Sequence, residues 1–290
     1  MQYTIRNEHM QAVIDSLGAE LVSLQLDGHE YLWQGDPAFW RGHAPVLFPF
    51  VGRLQGGTYT LHGTEYALRI HGLAKYYDFT PEKEEKDALT LSLSTNEETR
   101  AQYPFSFRFL VTYRLEERRL AITFRVENEG AEMMYFGLGG HPGFRAPMEE
   151  GEDFTDCYLE FSEASHPDRV LFSDGVLTLG RTKPYPLEEG KILRLHHDLF
   201  DHDAVVLTDM PWTVSLKSTK SSRSVTVSYP GMPYVGFWHA VKKPAPYVCI
   251  EPWVSLPGRD GITEDFAAMS GLQRLAPGKT YENDGSIALT

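Results

Sequence analysis

Across Leu120-Ala121-Ile122-Thr123-Phe124-Arg125-Val126, a large apolar side chain occupies every second position. Alternate side chains of an extended strand point to opposite faces, so this spacing predicts a strand with one face toward a core. Helical periodicity is scarce elsewhere in the chain. We therefore predict an all-β fold, a large antiparallel β-sandwich with a few short helices. The same alternation recurs in the runs Leu89-Thr90-Leu91-Ser92-Leu93-Ser94, Thr213-Val214-Ser215-Leu216-Lys217 and Val225-Thr226-Val227-Ser228-Tyr229.

Turn signals separate the predicted strands. Asp-Gly pairs, which favour tight hairpin turns, stand at residues 27–28, 174–175, 260–261 and 284–285. Short helices are predicted over residues 96–102 and 263–269, and the charged residues 82–87 predict a solvated hairpin tip. No linker, repeat or low-complexity tract divides the sequence, so residues 1–290 are expected to form a single domain.

Composition argues against several classes of partner. The formal net charge of −13 disfavours binding to a nucleic-acid backbone, and no apolar run is long enough to cross a bilayer. The N-terminal residues read as a strand and not as a secretion signal, so we expect a cytoplasmic protein. Cys157 and Cys249 are expected to be reduced thiols, because neither has the spacing of a metal site. No strand face identifies a subunit interface, which leaves the oligomeric state open.

Two irregular segments carry groups suited to proton transfer. Gly139-Gly140-His141-Pro142-Gly143-Phe144 places an imidazole in a backbone of glycine and proline, which is typical of a loop that presents a side chain. Cys249-Ile250-Glu251-Pro252-Trp253 places one carboxyl among apolar neighbours. An acid and a base in contrasting environments are what proton transfer near neutral pH requires.

Four short motifs, in this order, carry a resemblance to a known family. They are Gly52-Arg53, His71-Gly72, Gly140-His141-Pro142 and Glu251-Pro252-Trp253. Together they resemble the aldose 1-epimerase (hexose mutarotase) family, and Leu47-Phe48-Pro49 before Gly52-Arg53 is similar to its bacterial branch. The resemblance covers about residues 10–285 and implies the galactose mutarotase-like supersandwich fold.

The resemblance implies a reaction and its catalytic groups. Mutarotases interconvert the α and β anomers of a free sugar by opening and reclosing the ring. Glu251 would be the base that takes a proton from the anomeric hydroxyl, and His141 the acid that protonates the ring oxygen. This acid and base, on opposite sides of the reacting atoms, need no metal, nucleotide or other cofactor.

The resemblance also implies residues that hold the sugar. Arg53 and His71 would hydrogen-bond to sugar oxygens, and an aspartate would bind sugar hydroxyls. Asp203 fits that aspartate best, while Asp201 also fits loosely. Trp253, beside the glutamate, could stack on the apolar face of a pyranose. Judged alone, however, all five tryptophans indicate core packing.

Other hypotheses about the function remain open on the sequence alone. A phosphorylated hexose would need cationic residues, for which Arg53 and Lys75 are available. A non-catalytic carbohydrate-binding protein would not need both His141 and Glu251. A metal-dependent enzyme could use His71, His141, Glu251 and Asp203 as ligands, but the histidine-rich residues 196–203 lack the spacing of a closed metal site and favour a solvated loop. The residues after Trp253 and after Gly72 depart from the family pattern, which bears on the choice of substrate.

Overall fold

The computed structural model describes the whole chain, residues 1–290, and confirms the all-β class. The single α-helix, α1, spans Glu97–Gln102, and 3-10 turns span Gln55–Gly57, Ala74–Tyr76, Phe154–Asp156 and His197–Phe200. In chain order the strands are β1 Gln2–Arg6, β2 Met10–Asp15, β3 Glu20–Leu26, β4 His29–Glu30, β5 Val46–Leu47, β6 Thr58–Leu61, β7 Thr64–Ala67, β8 Thr80–Glu84, β9 Ala88–Ser94, β10 Phe107–Glu116, β11 Arg119–Asn128, β12 Met134–Phe136, β13 Gly139–Gly140, β14 Gly143–Arg145, β15 Cys157–Phe161, β16 Asp168–Phe172, β17 Thr178–Pro184, β18 Ile192–Arg194, β19 Val205–Thr208, β20 Thr213–Ser218, β21 Val225–Ser228, β22 Tyr234–Trp238, β23 Tyr247–Trp253, β24 Glu264–Asp265, β25 Gln273–Leu275 and β26 Thr280–Leu289.

Two large sheets dominate the architecture. The nine-stranded sheet has the order β18-β15-β20-β21-β26-β11-β10-β9-β8. The eight-stranded sheet runs β17-β16-β19-β22-β23-β13-β5, with β14 also paired to β23. Smaller sheets are formed by β1–β4, by β12 with β25, and by β24-β6-β7. The alternating run at residues 120–126 is confirmed as a strand, β11, which lies between β10 and β26.

The two large sheets pack face to face around an apolar core. Phe161 of β15 and Phe237 of β22 meet across the interface with ring centroids 5.9 Å apart. They belong to one contiguous cluster of 66 buried apolar residues. Burial on this scale is the main favourable contribution to the stability of such a fold.

Strand β23 is buried on both of its faces. Val248 and Ile250 point into the main core, while Cys249, Glu251 and Trp253 alternate with them and point the opposite way. All seven β23 residues are buried. Loops therefore cover the outer face of the eight-stranded sheet, and polar groups on that face are held away from bulk water.

The two predicted helices fared differently. The first is confirmed as α1. It begins after Asn96, whose side chain caps it by accepting a hydrogen bond from the Thr99 backbone N–H at 2.8 Å. The prediction of a helix over residues 263–269 is wrong. There Glu264 begins β24, and its buried carboxylate accepts two hydrogen bonds of 2.9 Å from the Arg259 guanidinium. None of the helices has the length and apolar character needed to cross a membrane.

One predicted turn is also wrong. Asp284 and Gly285 lie inside β26, paired with Thr123 and Ile122 of β11. Gly285 is needed there because a Cβ atom would come within 3.0 Å of the Ser228 carbonyl oxygen. The charged stretch is confirmed as a hairpin, although its first residues extend β8 and only residues 85–87 form the tip.

Candidate active site

His141 and Glu251 face each other across a break in one strand pair. The ladder pairs Gly139 with Trp253 on one side of the break and Gly143 with Cys249 on the other. This register is the same on both sides, so His141 stands opposite Glu251 although no ladder pair forms between them. Directly opposed residues of antiparallel strands share a face, which explains how positions 110 apart in sequence meet.

The two side chains lie next to each other in a buried setting. Nε2 of His141 is 3.3 Å from Oε2 of Glu251, and the side chains are 9% and 3% exposed. Burial raises the pKa of Glu251 well above its ordinary 4.5, helped by the charge of Asp203. Burial also lowers the pKa of His141 to about 3, with a smaller contribution from Lys75. Both charged forms are therefore disfavoured, and a proton shared by the pair lies on the carboxyl group.

Aromatic rings hold the His141 imidazole from several sides. Trp40 stacks on it with centroids 5.0 Å apart, and Trp238 meets it edge-on at 5.7 Å. The sequence indicated core packing for these tryptophans, and both pack against a small buried cluster while they also line the cavity that contains His141. Trp212 departs from that interpretation, because 49% of it is exposed. The spacing of isolated tryptophans carries no signal that separates these situations.

His71 enters the same cavity from a different part of the chain. Its backbone N–H donates to the Gly52 carbonyl at 2.8 Å, and the Gly52 N–H donates to Nδ1 of the ring at 3.1 Å. The hairpin β6–β7, which lies between Arg53 and His71 in the chain, closes this connection. Because Nδ1 accepts, the proton of the neutral ring is on Nε2. Burial, together with His141, Lys75 and Arg53, lowers the pKa of His71 well below its ordinary value.

Two cationic side chains line the cavity as well. Arg53 is exposed at its mouth and forms no ion pair. Lys75, in the 3-10 turn Ala74–Tyr76, also lacks an ion pair, and burial lowers its pKa. Unpaired cations in a cavity are available to an incoming anion or to sugar oxygens.

The structure separates the two candidate aspartates. Asp203 lines the cavity and acts on the pKa of Glu251, whereas Asp201 lies outside it. One Asp203 oxygen, Oδ1, accepts from the Ala204 N–H at 2.8 Å, which leaves Oδ2 without a protein partner. The backbone of Asp203 is left-handed, with φ of 75°, a conformation that aspartate tolerates better than most residues.

Trp253 lies across the sheet between two glycines. A Cβ atom on Gly139 would come within 2.7 Å of its Cδ1, and one on Gly236 within 3.2 Å of its Cη2. Gly139 and Gly236 belong to the strands on either side of β23. The indole therefore occupies room left by two absent side chains, and it forms part of the cavity wall.

The cavity encloses about 890 Å³, including its open mouth. It brings together all six residues that the sequence singled out, namely Arg53, His71, His141, Asp203, Glu251 and Trp253. Phe172, the last residue of β16, and Val176, in the β16–β17 turn, close one side of it. Val176 has a φ of 60°, which is an outlier for a β-branched residue. No sequence pattern had indicated that this turn reaches the cavity.

A thiol lies beside the acid–base pair. One donor atom each of His141, Cys249 and Glu251 lie within 4.8 Å of one another, and both cysteines of the chain are free, as expected. Metal ions bind the thiolate, but burial raises the pKa of Cys249 well above its ordinary 9, which keeps it a neutral thiol. Of the four ligands that the metal-dependent alternative named, only His141 and Glu251 belong to this group.

Comparison with known proteins agrees with the arrangement of fold and cavity. A family model described as aldose 1-epimerase matches residues 1–288. The plasmid-encoded protein LacX of Lactococcus lactis subsp. lactis is 34% identical over 266 residues, which are 88% of each chain. A galactose mutarotase related enzyme from Lactobacillus acidophilus is 37% identical and has a TM-score of 0.95, with 100% of this chain and 97% of the other covered. A galactose mutarotase-like protein from Lactobacillus casei is 32% identical, also with a TM-score of 0.95, and both chains are fully covered.

Proposed function

Because the chain belongs to the aldose 1-epimerase family, we propose that it interconverts the α and β anomers of a free hexose, with Glu251 as base and His141 as acid. Family membership makes the protein an isomerase of the sugar epimerase type. The substrate and the roles of individual residues are our proposal. The observation that carries it is the buried contact of 3.3 Å between Nε2 of His141 and Oε2 of Glu251.

That contact bears on how the acid and the base would reach the sugar. The sequence interpretation placed acid and base on opposite sides of the reacting atoms, but the two groups are neighbours. The anomeric oxygen and the ring oxygen are both bonded to C1 of a pyranose, so they too are neighbours. An acid and a base 3.3 Å apart can serve both oxygens of one bound sugar.

The pair needs one proton in total. A proton shift from Glu251 to His141 creates a carboxylate and an imidazolium. The carboxylate then takes the proton of the anomeric hydroxyl while the imidazolium protonates the ring oxygen, and C1 becomes an aldehyde. Rotation about the C1–C2 bond presents the other face of the aldehyde. Reversal of the two transfers closes the ring as the other anomer.

The surrounding residues have roles in holding the sugar. His71 offers its Nε2–H, Asp203 its free Oδ2, and Arg53 its paired donors. Hydrogen bonds from these groups to sugar hydroxyls would fix which ring atoms face the acid–base pair. The indole of Trp253 supplies an apolar wall for the C–H face of a pyranose.

Polarimetry of freshly dissolved α-glucose and α-galactose tests the proposal. Wild-type protein should accelerate the drift to equilibrium, and Glu251→Gln and His141→Asn should each lose about 10²–10⁴-fold. Asp203→Asn should weaken sugar binding, while Asp201→Asn, outside the cavity, is the matched control and should retain wild-type rates. Sugar binding without acceleration by the wild type would indicate a carbohydrate-binding protein instead.

The rate should depend on pH through the number of protons on the pair. Below a pH of about 3 the pair gains a second proton, which binds to His141. At a pH far above 4.5 the pair loses its only proton, which leaves from Glu251. The active, singly protonated state therefore spans a broad plateau. Rate profiles of wild-type protein should show an acid limb below pH 4.5. A narrow optimum between 4.5 and 6.5, as for exposed groups, would contradict the assignment.

A phosphorylated hexose is the second candidate substrate, favoured by the unpaired Arg53 and Lys75 in the cavity. A phosphate dianion could bind both cations. Comparison of kcat/KM for glucose and glucose 6-phosphate distinguishes the candidates. If the phosphate is recognised, Lys75→Gln should reduce kcat/KM for the phosphorylated sugar far more than for the free sugar. An equal effect on both sugars would leave the free hexose as the substrate.

A further inference from the structure

The histidine-rich segment, residues 196–203, is held by its buried Phe200, whose ring lies 4.5 Å from that of His239, and by one side-chain hydrogen bond. Nδ1 of His197 is 3.1 Å from Nε2 of His239, which follows β22 directly. The His197 ring also stacks on Phe154, with centroids 4.3 Å apart and an interplanar angle of 13°. The solvated loop that the sequence favoured is therefore wrong for His197, which is partly buried, while His196 remains 48% exposed.

The tautomers of both imidazoles follow from their neighbours. Nδ1 of His239 is 2.9 Å from the Ala240 carbonyl oxygen, which can only accept, so this nitrogen carries the proton. Nε2 of the neutral His239 ring is then an acceptor, and Nδ1 of His197 must donate to it. Burial lowers the pKa of both histidines, in keeping with two neutral rings. A second proton on His239 would place two N–H groups against each other.

The hydrogen bond connects the two segments that carry the cavity residues Asp203 and Trp238. His197 opens the 3-10 turn His197–Phe200, and the Asp203 backbone N–H donates to the Phe200 carbonyl at 3.1 Å. On the other side, His239 is fully buried and adjoins Trp238, which meets His141 edge-on. The segment that carries Asp203 is thus fixed to the strand end that supports the acid–base pair.

We propose that the His197–His239 hydrogen bond is a positioning device that holds Asp203 at the cavity and thereby sets the affinity for the sugar. The inference rests on the proposed function, because it assigns Asp203 to a sugar hydroxyl. His197 touches neither Glu251 nor the reacting atoms, so it is a positioning residue. Its removal should weaken binding and leave the proton transfers unchanged.

Two variants of His197 separate the hydrogen bond from the stacking. His197→Phe keeps a ring on Phe154 and removes the donor, whereas His197→Asn keeps an N–H donor at the δ position and removes the ring. Loss of a neutral hydrogen bond should raise KM and the Kd for sugar roughly 2- to 12-fold in His197→Phe, with kcat within about twofold. His197→Asn should retain most of the wild-type affinity. If instead His197→Asn is the weaker binder, stacking matters and the proposal fails.

A double-mutant cycle tests whether the effect passes through Asp203. In an Asp203→Ala background, His197→Phe should have no further effect on the Kd, because the group that it positions is already absent. Isothermal titration with the sugar that the wild type turns over fastest gives the four values. Additive losses would overturn the proposal, as would a fall in kcat with KM unchanged.

A measurement without sugar separates a failure of this inference from a failure of the proposed function. In histidine-labelled protein, nitrogen NMR should show His197 and His239 as neutral rings protonated at Nδ1, the less common tautomer of free histidine. In His197→Phe the resonances of residue 203 should shift or broaden. Ordinary Nε2–H tautomers at both positions would refute the hydrogen bond, whereas an inactive wild type with the expected tautomers would refute only the mutarotase assignment.

Discussion

The two faces of strand β23 differ in what their side chains require. On the core face, Val248 and Ile250 are apolar, fully buried and satisfied by contact alone. On the cavity face, Glu251 is equally buried, yet its charged form is disfavoured and it depends on His141 for a polar neighbour. One backbone thus supports a face that stabilises the fold and a face that costs stability in order to hold reactive groups. Substitutions on the two faces should therefore separate stability from activity.

The largest expected difference is between Ile250→Ala and Glu251→Gln, adjacent residues on opposite faces. Ile250→Ala should lower the free energy of unfolding by about 2–5 kcal/mol, because it leaves a cavity in the core. Its kcat should be close to wild type at temperatures where the variant stays folded. Glu251→Gln should lose about 10²–10⁴-fold in rate, with unfolding unchanged or slightly harder because a buried carboxyl is removed.

Urea denaturation and polarimetry on the same preparations check this pair. Cys249→Ser, also on the cavity face, supplies a reference for a substitution beside the site that leaves both proton-transfer groups in place. If Ile250→Ala abolished kcat while folded, or Glu251→Gln unfolded the protein, stability and activity would not be divided between the two faces of β23.

The core face and the sheets were predictable because the alternation of apolar side chains within a short run of sequence indicates a strand and its buried face. Alternation across residues 120–126 identified β11, and similar runs identified β9, β20 and β21. The predicted helix over residues 263–269 failed because a tertiary contact, the parallel pairing of β24 with β6, prevailed, and the local Arg259–Glu264 ion pair supports it. The Asp284–Gly285 turn failed because a glycine that permits close approach of strands looks the same in sequence as one that permits a turn.

The cavity face was predictable only in part. Motif resemblance identified Arg53, His71, His141 and Glu251, which lie at four separate places in the chain and meet in one cavity. Nothing local indicated the side-by-side placement of His141 and Glu251, because it depends on the register of β23 with its neighbours. The roles of Trp40 and Trp238 were missed for the same reason.

Gly236 is where one added methyl group can disturb the cavity face of the sheet. It pairs with Glu251, and a Cβ atom would lie 3.2 Å from the Trp253 ring and 3.4 Å from Cβ of Glu251. Gly236→Ala should cost about 1–3 kcal/mol of stability through overpacking. A displacement of about 1 Å can cost roughly 100-fold in rate, so a smaller shift here should cost roughly tenfold in kcat/KM.

Gly175→Ala is the matched control for this prediction. Gly175 lies in the β16–β17 turn, where the nearest atom to an added Cβ is 3.7 Å away, an ordinary contact. Thermal melts and kcat/KM of the control should match the wild type. If Gly236→Ala also matched it, the indole of Trp253 would have room to move, and its proposed role as a fixed wall would be wrong.

His141, on the cavity side of the sheet, should also make the free energy of unfolding depend on pH. Because the pKa of His141 falls from 6.5 to about 3 on folding, the stability that the neutral ring provides is present above pH 6.5 and lost as the pH falls toward 3. This histidine alone contributes a slope of at most about 1.4 kcal/mol per pH unit. His141→Asn should therefore lose less stability than the wild type between pH 6.5 and 4. Parallel curves from urea denaturation would contradict the burial of the imidazole.

The smallest expected effect concerns Val176, which lies at the edge of the cavity in a strained conformation. Left-handed backbone costs a residue with a Cβ about 1–2 kcal/mol, whereas glycine loses about 0.5–1 kcal/mol more chain entropy on folding. Val176→Gly should therefore raise the free energy of unfolding by about 0–1.5 kcal/mol. The same change removes an apolar side chain from the cavity wall, so KM for the sugar should rise while kcat is maintained.

Val176→Ala and Val176→Asn distinguish strain from contact at this position. Alanine removes most of the side chain but retains a Cβ, so it should raise KM without the gain in stability. Asparagine tolerates the left-handed conformation better than valine, so it should gain stability and keep a side chain at the cavity wall. If all three variants were less stable than the wild type, the left-handed backbone would not be strained here. The turn would then stabilise the fold, as the core face of β23 does. The stability cost found on the cavity face would not extend to the residues at the cavity edge.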